Sequence, residues 1–416
     1  MNKIVNQLLN SRRIQLKSSG SSMEPLFKEN DVLFFKKTSF KKIKINDIVS
    51  IKKGKESISH RIIYKSNKYL ITRGDNNLQF DGKIYPHQIV GKVFQVKRDG
   101  KIFNPEDLYL IQSTQYFQEI VKIKTAFEKF GKIDFVFLKG LPLHLYYEKT
   151  HPRRIYLDCD VLVNKKDFLK AEKIIEKFGY RKTDSKDKKV ENNYYKVING
   201  FSVVFDIHLE PAFLMTQFSG LEALYSQKLI NKFNEELLKN KKKVKVNGET
   251  FLILNTYYLI LYLALHLFHH NFRGAFRYQF LDNVVRKNRF STNDWQKIAS
   301  IVNEYKLGNF VYPVFILLKK YYQSPIPKSF FKTIRPSISY SLNLPSKIYH
   351  LGSIFDDEPR IKAGITRFKN LFFLSSEPWW KRWLVFFSPQ VIYSILWVVI
   401  KRLKQFSSFS NQKLAR

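Results

Sequence analysis

Ile155-Tyr156-Leu157-Asp158-Cys159-Asp160-Val161-Leu162-Val163 sets two carboxylates one residue apart inside an otherwise apolar run. Residues i and i+2 of a β-strand share a face. The run therefore predicts a strand from which Asp158 and Asp160 project side by side, while Tyr156, Leu157, Val161 and Val163 bury it. Two like charges held that close repel unless a cation sits between them. Taken alone, the motif also fits a strand end with one solvated and one capping aspartate.

The flanking sequence favours the first reading. Upstream, Phe135 to Leu138 reads as a buried strand, Lys139-Gly140 as its turn, and Leu141 to Glu148 as a helix. Downstream, Lys166 to Gly179 has the spacing of an amphipathic helix closed by glycine, and Phe201 to Leu209 is an apolar strand with one acid, Asp206. The order is strand, turn, helix, acidic strand, helix, acidic strand. It resembles the DNA polymerase β-type nucleotidyltransferase superfamily, in which a glycine turn, an Asp-x-Asp strand and a third strand carboxylate gather two magnesium ions. The resemblance implies Asp158, Asp160 and Asp206 as metal ligands, two Mg²⁺ ions and a nucleoside triphosphate substrate. Lys139, Gly140, Arg153 and Arg154 are the residues it offers to the phosphates.

Within that superfamily the pattern is similar to a less characterised nucleotidyltransferase family. It has Leu138-Lys139-Gly140, then Arg154 with Asp158-x-Asp160-x-Leu162-Val163, then Gly179-Tyr180, then Asp206-x-His208. Lys139-Gly140 stands where better-known relatives carry Gly-Ser.

The first hundred residues have another character. Ser19-Gly20-Ser21-Ser22-Met23-Glu24-Pro25 is followed by Asn30 to Phe35, Asn46 to Ile51, Ser59-His60-Arg61-Ile62-Ile63, Thr72-Arg73-Gly74-Asp75-Asn76-Asn77 and Ile89 to Val93. Short apolar runs between Gly, Asn and Asp predict a small all-β unit. In order and spacing these blocks resemble the catalytic region of type I signal peptidases and LexA-like serine peptidases. The resemblance implies Ser22 as nucleophile, His60 as general base, and Asp75 or Asp81 as the acid behind it. The chemistry asks for the same types: a serine needs a base within hydrogen-bond reach, and the base needs a carboxylate to fix its tautomer.

The chain has 416 residues, 72 Lys and Arg against 35 Asp and Glu, and a net charge of +37. That length holds several domains, and the charge favours anionic partners such as nucleotides or an acidic membrane face. A lone cysteine, Cys159, excludes an internal disulfide and a cysteine-based zinc site, and a cytoplasmic location fits. No N-terminal apolar run suggests an anchor. His266 and His270, four apart, have possible metal spacing but lack a zincin glutamate; a helical subdomain closing over the nucleotide, or a structural pair, fits them. The lysine-rich runs 181–189 and 239–245 read as exposed loops. From Trp383 to Ile400 the chain is nearly all apolar but holds Ser388-Pro389-Gln390, so interfacial anchoring competes with plain docking.

The expected fold class is multidomain α+β. An all-β peptidase-like domain at 1–104 precedes a mixed α/β nucleotidyltransferase core at 105–235, a helical subdomain at 236–330 and a basic, aromatic C-terminal extension at 331–416. The expected function is a fusion of a serine endopeptidase and a Mg²⁺-dependent nucleotidyltransferase, with a peptide or protein substrate, a nucleotide and an anionic membrane surface as partners. A noncatalytic scaffold and an RNA-modifying transferase are the alternatives. Intact carboxylates and an intact Ser/His pair disfavour the first, and the lack of interleaved aromatic and basic residues on an evident sheet disfavours nucleic acid.

Overall fold

A computed structural model of the chain describes residues 13–24, 26–54, 56–148, 156, 158–183, 191–199, 201–211, 220–334, 354–397 and 400. It is multidomain α+β. Strands β1 (Arg13–Lys17), β2 (Val32–Lys36), β3 (Ile48–Lys53), β4 (Glu56–Lys65), β5 (Leu70–Arg73), β6 (Lys83–Ile84), β7 (Ile89–Arg98) and β8 (Lys101–Phe103) build one antiparallel sheet. Its order is β1-β2-β7-β3-β4-β5-β6, with β8 on β7. Register shifts at Phe34/Phe35, Ser50/Ile51 and Ile62/Tyr64 bend the strands. Two apolar clusters result, one around Met23, Phe27 and Phe35 and one around Val49, Ile62 and Leu70.

Helix α1 (Pro105–Ala126) opens the next unit. Pro105 occupies its first turn, where a missing N–H costs no hydrogen bond. Asn104 takes the cap position, and Asp107 Oδ2 accepts from Asn104 N at 3.2 Å as its reciprocal partner. The buried stripe of α1, Tyr109, Gln112, Tyr116, Ile120 and Ile123, has the i, i+3, i+4 spacing of one helical face.

The second sheet contains β9 (Phe135–Lys139), β10 (Asp158–Val163), β11 (Arg181–Lys182), β12 (Glu191–Ile198), β13 (Phe201–His208), β14 (Lys241–Val246) and β15 (Glu249–Leu254), in the order β11-β12-β13-β10-β9-β15-β14. β10 runs parallel to β13 and antiparallel to β9. Helix α2 (Leu141–Glu148) follows β9, and α3 (Phe168–Lys177) follows β10.

One expectation is corrected here. The lysine run near 241–245 is an edge strand, not a loop: Val244 and Val246 point inward, and Asn247-Gly248, both at positive φ, turns the chain back into β15. Because β15 pairs with β9 through Ile253 and Phe137, the sheet continues to Leu254. The part of the chain built of helices alone opens at Thr256. In the 181–189 run, Arg181 and Lys182 form β11, while residues 184–190 lie outside the described residues.

Helix α4 (Gln227–Lys239) precedes that hairpin, and α5 (Thr256–His269), α6 (Ala275–Asn288), α7 (Thr292–Glu304), α8 (Gly308–Tyr322) and α9 (Lys328–Thr333) follow it. Helices α10 (Arg360–Leu374) and α11 (Trp379–Phe386) close the described chain, with a further helical stretch over 389–397. The segment just before α10 joins the two units. Asp357 pairs with Arg73 at 2.7 Å and its N–H donates to Leu78 O at 2.8 Å, while Glu358 pairs with Arg273 at 3.0 Å. Tyr64 of β4 stacks edge-on against Tyr322 and Phe355. No helix among the described residues is long and apolar enough to cross a membrane.

Candidate active sites

The register of the second sheet assembles the first site. Asp160 lies opposite Lys139 on β9 and beside Asp206 on β13. Carboxylate oxygens of Asp158, Asp160 and Asp206 all fall within 4.8 Å of one another. At that distance two carboxylates repel by about 3 kcal/mol in an effective dielectric of ~20. Lys139 Nζ offsets part of this, 3.0 Å from Asp158 and 2.9 Å from Asp160. Three carboxylates against one ammonium leave an excess of negative charge, and an all-oxygen donor set is the kind hard divalent cations take. The residues fit such a metal.

Neighbours hold the carboxylates in place. His208 Nε2 donates to Asp160 Oδ1 at 2.9 Å, and the Asn193 amide donates to Asp206 Oδ1. Burial opposes the charge on Asp160, yet Lys139 and His208 outweigh it and hold that carboxyl below its ordinary range. Burial likewise opposes the Lys139 ammonium, and Asp160 and Asp158 raise its pKa above the usual lysine value. Cys159 faces away into the core, where burial pushes its thiol well up, so it is no nucleophile. Lys139, offered by the sequence to a phosphate, is thus engaged by the carboxylates. Gly140 is held at φ +112°, which a side chain would strain, and its carbonyl accepts from His144 N as α2 begins. Arg153 and Arg154 lie outside the described residues.

Three histidines at the end of α5 wall the same space. The fields of Lys139 and Arg277 reach His266, His269 and His270, and burial, the larger cause, pushes all three well below the ordinary 6.5. His266 and His270 approach at 3.1 Å between Nε2 atoms, so one donates and the other accepts, as neutral imidazoles do. Among the described residues the aspartates form the group of three or more side chains close enough to share a metal, and His266 and His270 are not part of it. A stability consequence follows. Below pH 6.5 the unfolded chain binds protons that the folded histidines refuse, so stability should fall with pH by up to about 1.4 kcal/mol per histidine per unit. Urea denaturation across that range checks this, and replacing all three by Gln should flatten the dependence.

The second site lies in the all-β unit. Ser22 Oγ is 2.9 Å from His60 Nε2, and His60 Nδ1 donates to Asp81 Oδ2 at 2.7 Å. Thr72 Oγ1 also donates to Asp81 Oδ2, at 2.7 Å, which fixes the carboxylate, and His60 is buried. The loop after β5 closes on the serine turn: Asn76 N donates to Ser22 O at 2.9 Å, and a Cβ on Gly74 would come within 2.6 Å of that oxygen. Glycine is needed there for the close approach.

Of the two acids left open by the sequence, Asp75 is not the one behind the histidine. It forms a two-pronged pair with the Arg61 guanidinium, Nε to Oδ1 at 2.6 Å and Nη2 to Oδ2. Arg61 in turn lies 5.0 Å from the Tyr109 ring on α1. Sequence reasoning did not single out Asn193 or Tyr116. Tyr116 donates to Val204 O at 2.9 Å beneath the carboxylate strands, and only the pairing of β12 with β13 at Asn193 and Asp206 could have exposed the former.

Neither the curated proteins nor the solved structures yield a match to this chain. Residues 106–323, from the start of α1 to the end of α8, match a family described as an uncharacterised nucleotidyltransferase. The match takes in both the aspartate cluster and the histidine wall, and it spans more than half of the 416 residues. The chain belongs to this nucleotidyltransferase family.

Proposed function

We propose that the second unit transfers a nucleotidyl group from a nucleoside triphosphate to an acceptor hydroxyl, with Mg²⁺ held by Asp158, Asp160 and Asp206. The convergence of these carboxylates on neighbouring strands carries the reading. Two bound Mg²⁺ would supply an activated acceptor oxygen and a neutralised triphosphate, so that in-line attack at the α-phosphorus expels pyrophosphate. His208 and Asn193 keep Asp160 and Asp206 aimed, which preserves the donor set between turnovers. The Gly140 turn and the first N–H groups of α2 offer phosphate contacts, and the neutral histidines with Arg277 offer a wall for the rest of the nucleotide.

Incubation with each labelled triphosphate and cell extract, followed by mass spectrometry of the labelled acceptor, tests the assignment. EDTA should stop labelling and excess Mg²⁺ restore it. Mg²⁺ should also raise the melting temperature of the unaltered chain. Transfer that survives complete chelation would refute the metal role, and labelled RNA as the acceptor would favour the RNA-modifying alternative.

A second activity in the same chain has its own supporting observation. The Ser22, His60 and Asp81 chain of contacts at 2.9 and 2.7 Å is the arrangement a serine peptidase uses. His60 takes the Ser22 proton as Oγ attacks a peptide carbonyl, and Asp81 steadies the resulting imidazolium. The amine leaves with that proton, and water then hydrolyses the acyl-serine. The acid loop 72–81 and the turn 271–274 beside the histidine wall are tied to the same segment through Asp357 and Glu358, which gives the two sites a shared rigid support.

A further inference from the structure

The C-terminal helices turn an apolar side outward. On α11 Trp380, Trp383, Leu384 and Phe387 recur at i, i+3, i+4 and i+7, the spacing of one helical face, and all are exposed, Trp380 by 66% and Leu384 by 64%. The next stretch repeats the pattern with Tyr393, 70% exposed, Leu396, Trp397 and Ile400. The inward side packs Val385, Phe386, Val391 and Ile395 against the core, with two polar residues among them. Arg382 is buried and donates to the carbonyls of Phe372, Phe373, Ser375 and Glu377, and Ser394 is buried with it. A surface helix of a water-soluble protein ordinarily turns charged and polar residues outward, and here the outward face is apolar too.

We propose that this face is a membrane-binding surface that seats on anionic phospholipid, lying in the headgroup region rather than crossing it. Three observations choose this occupant. The exposed stripe is rich in tryptophan, whose indole has an apolar body and an N–H donor and concentrates at the membrane–water boundary. Between residues 360 and 404 the sequence has nine basic residues and a single acid, Glu377; Arg367 and Arg382 are buried, and the remaining seven complement an acidic lipid surface. Helix α11 has only 8 residues and the chain turns at Phe387 and Ser388, so the apolar faces lie along a surface and do not span it.

A cavity of about 430 Å³ opens beside the stripe, lined by Trp380, Leu384, Val385, Ala223, Lys381 and Ser388. It offers room for part of an acyl chain with a cation to meet the phosphate. The surface is joined to the transferase wall through α10, where Arg367 donates to Phe268 O at 2.9 Å, next to His269. Seating on lipid would hold that catalytic unit at the membrane.

The test uses the full chain with phosphatidylcholine vesicles, with and without phosphatidylglycerol. It should co-sediment with the anionic vesicles at low salt and be partly released at high salt. Tryptophan emission should shift to the blue and be quenched by brominated acyl chains. The combined variant Trp380→Ser, Trp383→Ser, Leu384→Ser should lower partitioning by at least about tenfold, with an unchanged circular-dichroism spectrum because all three side chains are exposed. Three outcomes would overturn the proposal: no partitioning, partitioning indifferent to the triple substitution, or resistance to alkaline carbonate. A concentration-dependent dimer that the substitutions dissolve, without vesicle binding, would equally overturn it and make the face a contact between copies.

Discussion

Replacing Asp158 by Ala is expected to lower Mg²⁺-dependent nucleotidyl transfer by at least about a thousandfold, because the site loses a ligand where charge develops on the transferring phosphate. The fold should survive. The Asp158 side chain is 49% exposed, and Lys139 keeps its second partner, Asp160. Asp160→Ala should inactivate as thoroughly but for a mixed reason. Its carboxylate is buried and serves both Lys139 and His208, and breaking such a buried pair costs about 3–5 kcal/mol. Comparing melting temperatures therefore separates the two: the Asp158 variant should melt near the unaltered protein and the Asp160 variant well below it. Transfer within tenfold of the starting rate in the folded Asp158 variant would place the chemistry elsewhere.

Ser22→Ala and His60→Ala should each remove peptidase turnover by about four orders of magnitude or more, and the double variant should be scarcely worse than either, since nucleophile and base act as a unit. A fluorophosphonate probe offers a readout that needs no known peptide: it should label the unaltered chain at Ser22 and neither variant. The two acids give a sharper discrimination. Asp81→Asn should slow labelling by about 10⁴ because the amide no longer fixes the tautomer that lets His60 accept the serine proton. Asp75→Asn should leave the labelling rate near that of the unaltered chain and instead destabilise it by about 2 kcal/mol through the lost pair with Arg61. Rapid labelling of the Asp81 variant together with slow labelling of the Asp75 variant would reverse the assignment.

Some of this organisation is written in local sequence. The i, i+2 spacing of Asp158 and Asp160 within an apolar run decides that both carboxylates leave one face of a strand, since strand side chains alternate. The Lys139-Gly140 turn and the helix from Leu141 to Glu148 follow from glycine's conformational freedom and from apolar spacing. Pro105 marks the passage from the all-β unit to α1 because it cannot donate to a strand ladder and is tolerated in a helix's first turn. These are short-range constraints, and they place the elements that carry most of both sites.

Partnership across elements is another matter, because it depends on register and on which way each face turns. Nothing local distinguishes Asp75 from Asp81. The choice falls out of β4, where adjacent His60 and Arg61 point to opposite faces, so each recruits the carboxylate arriving on its own side, Asp81 for His60 and Asp75 for Arg61. Asp206 meets Asp160 only because β13 pairs with β10 in that register, and Lys139 reaches both aspartates only because β9 lies on the other side. The lysine-rich run at 241–246 hid a strand, since solvated lysines on an edge look like loop until the Asn247-Gly248 turn is given its partner β15. At the C-terminus the spacing of Trp380, Trp383 and Leu384 announces an apolar face but not its direction. The sequence by itself determined the strands, the glycine turn and the residue types able to do the chemistry; packing of Arg382 inward and tryptophan outward, like the pairing of each acid with its base, was decided only by tertiary structure, because contacts between distant segments depend on how the whole chain closes its cores.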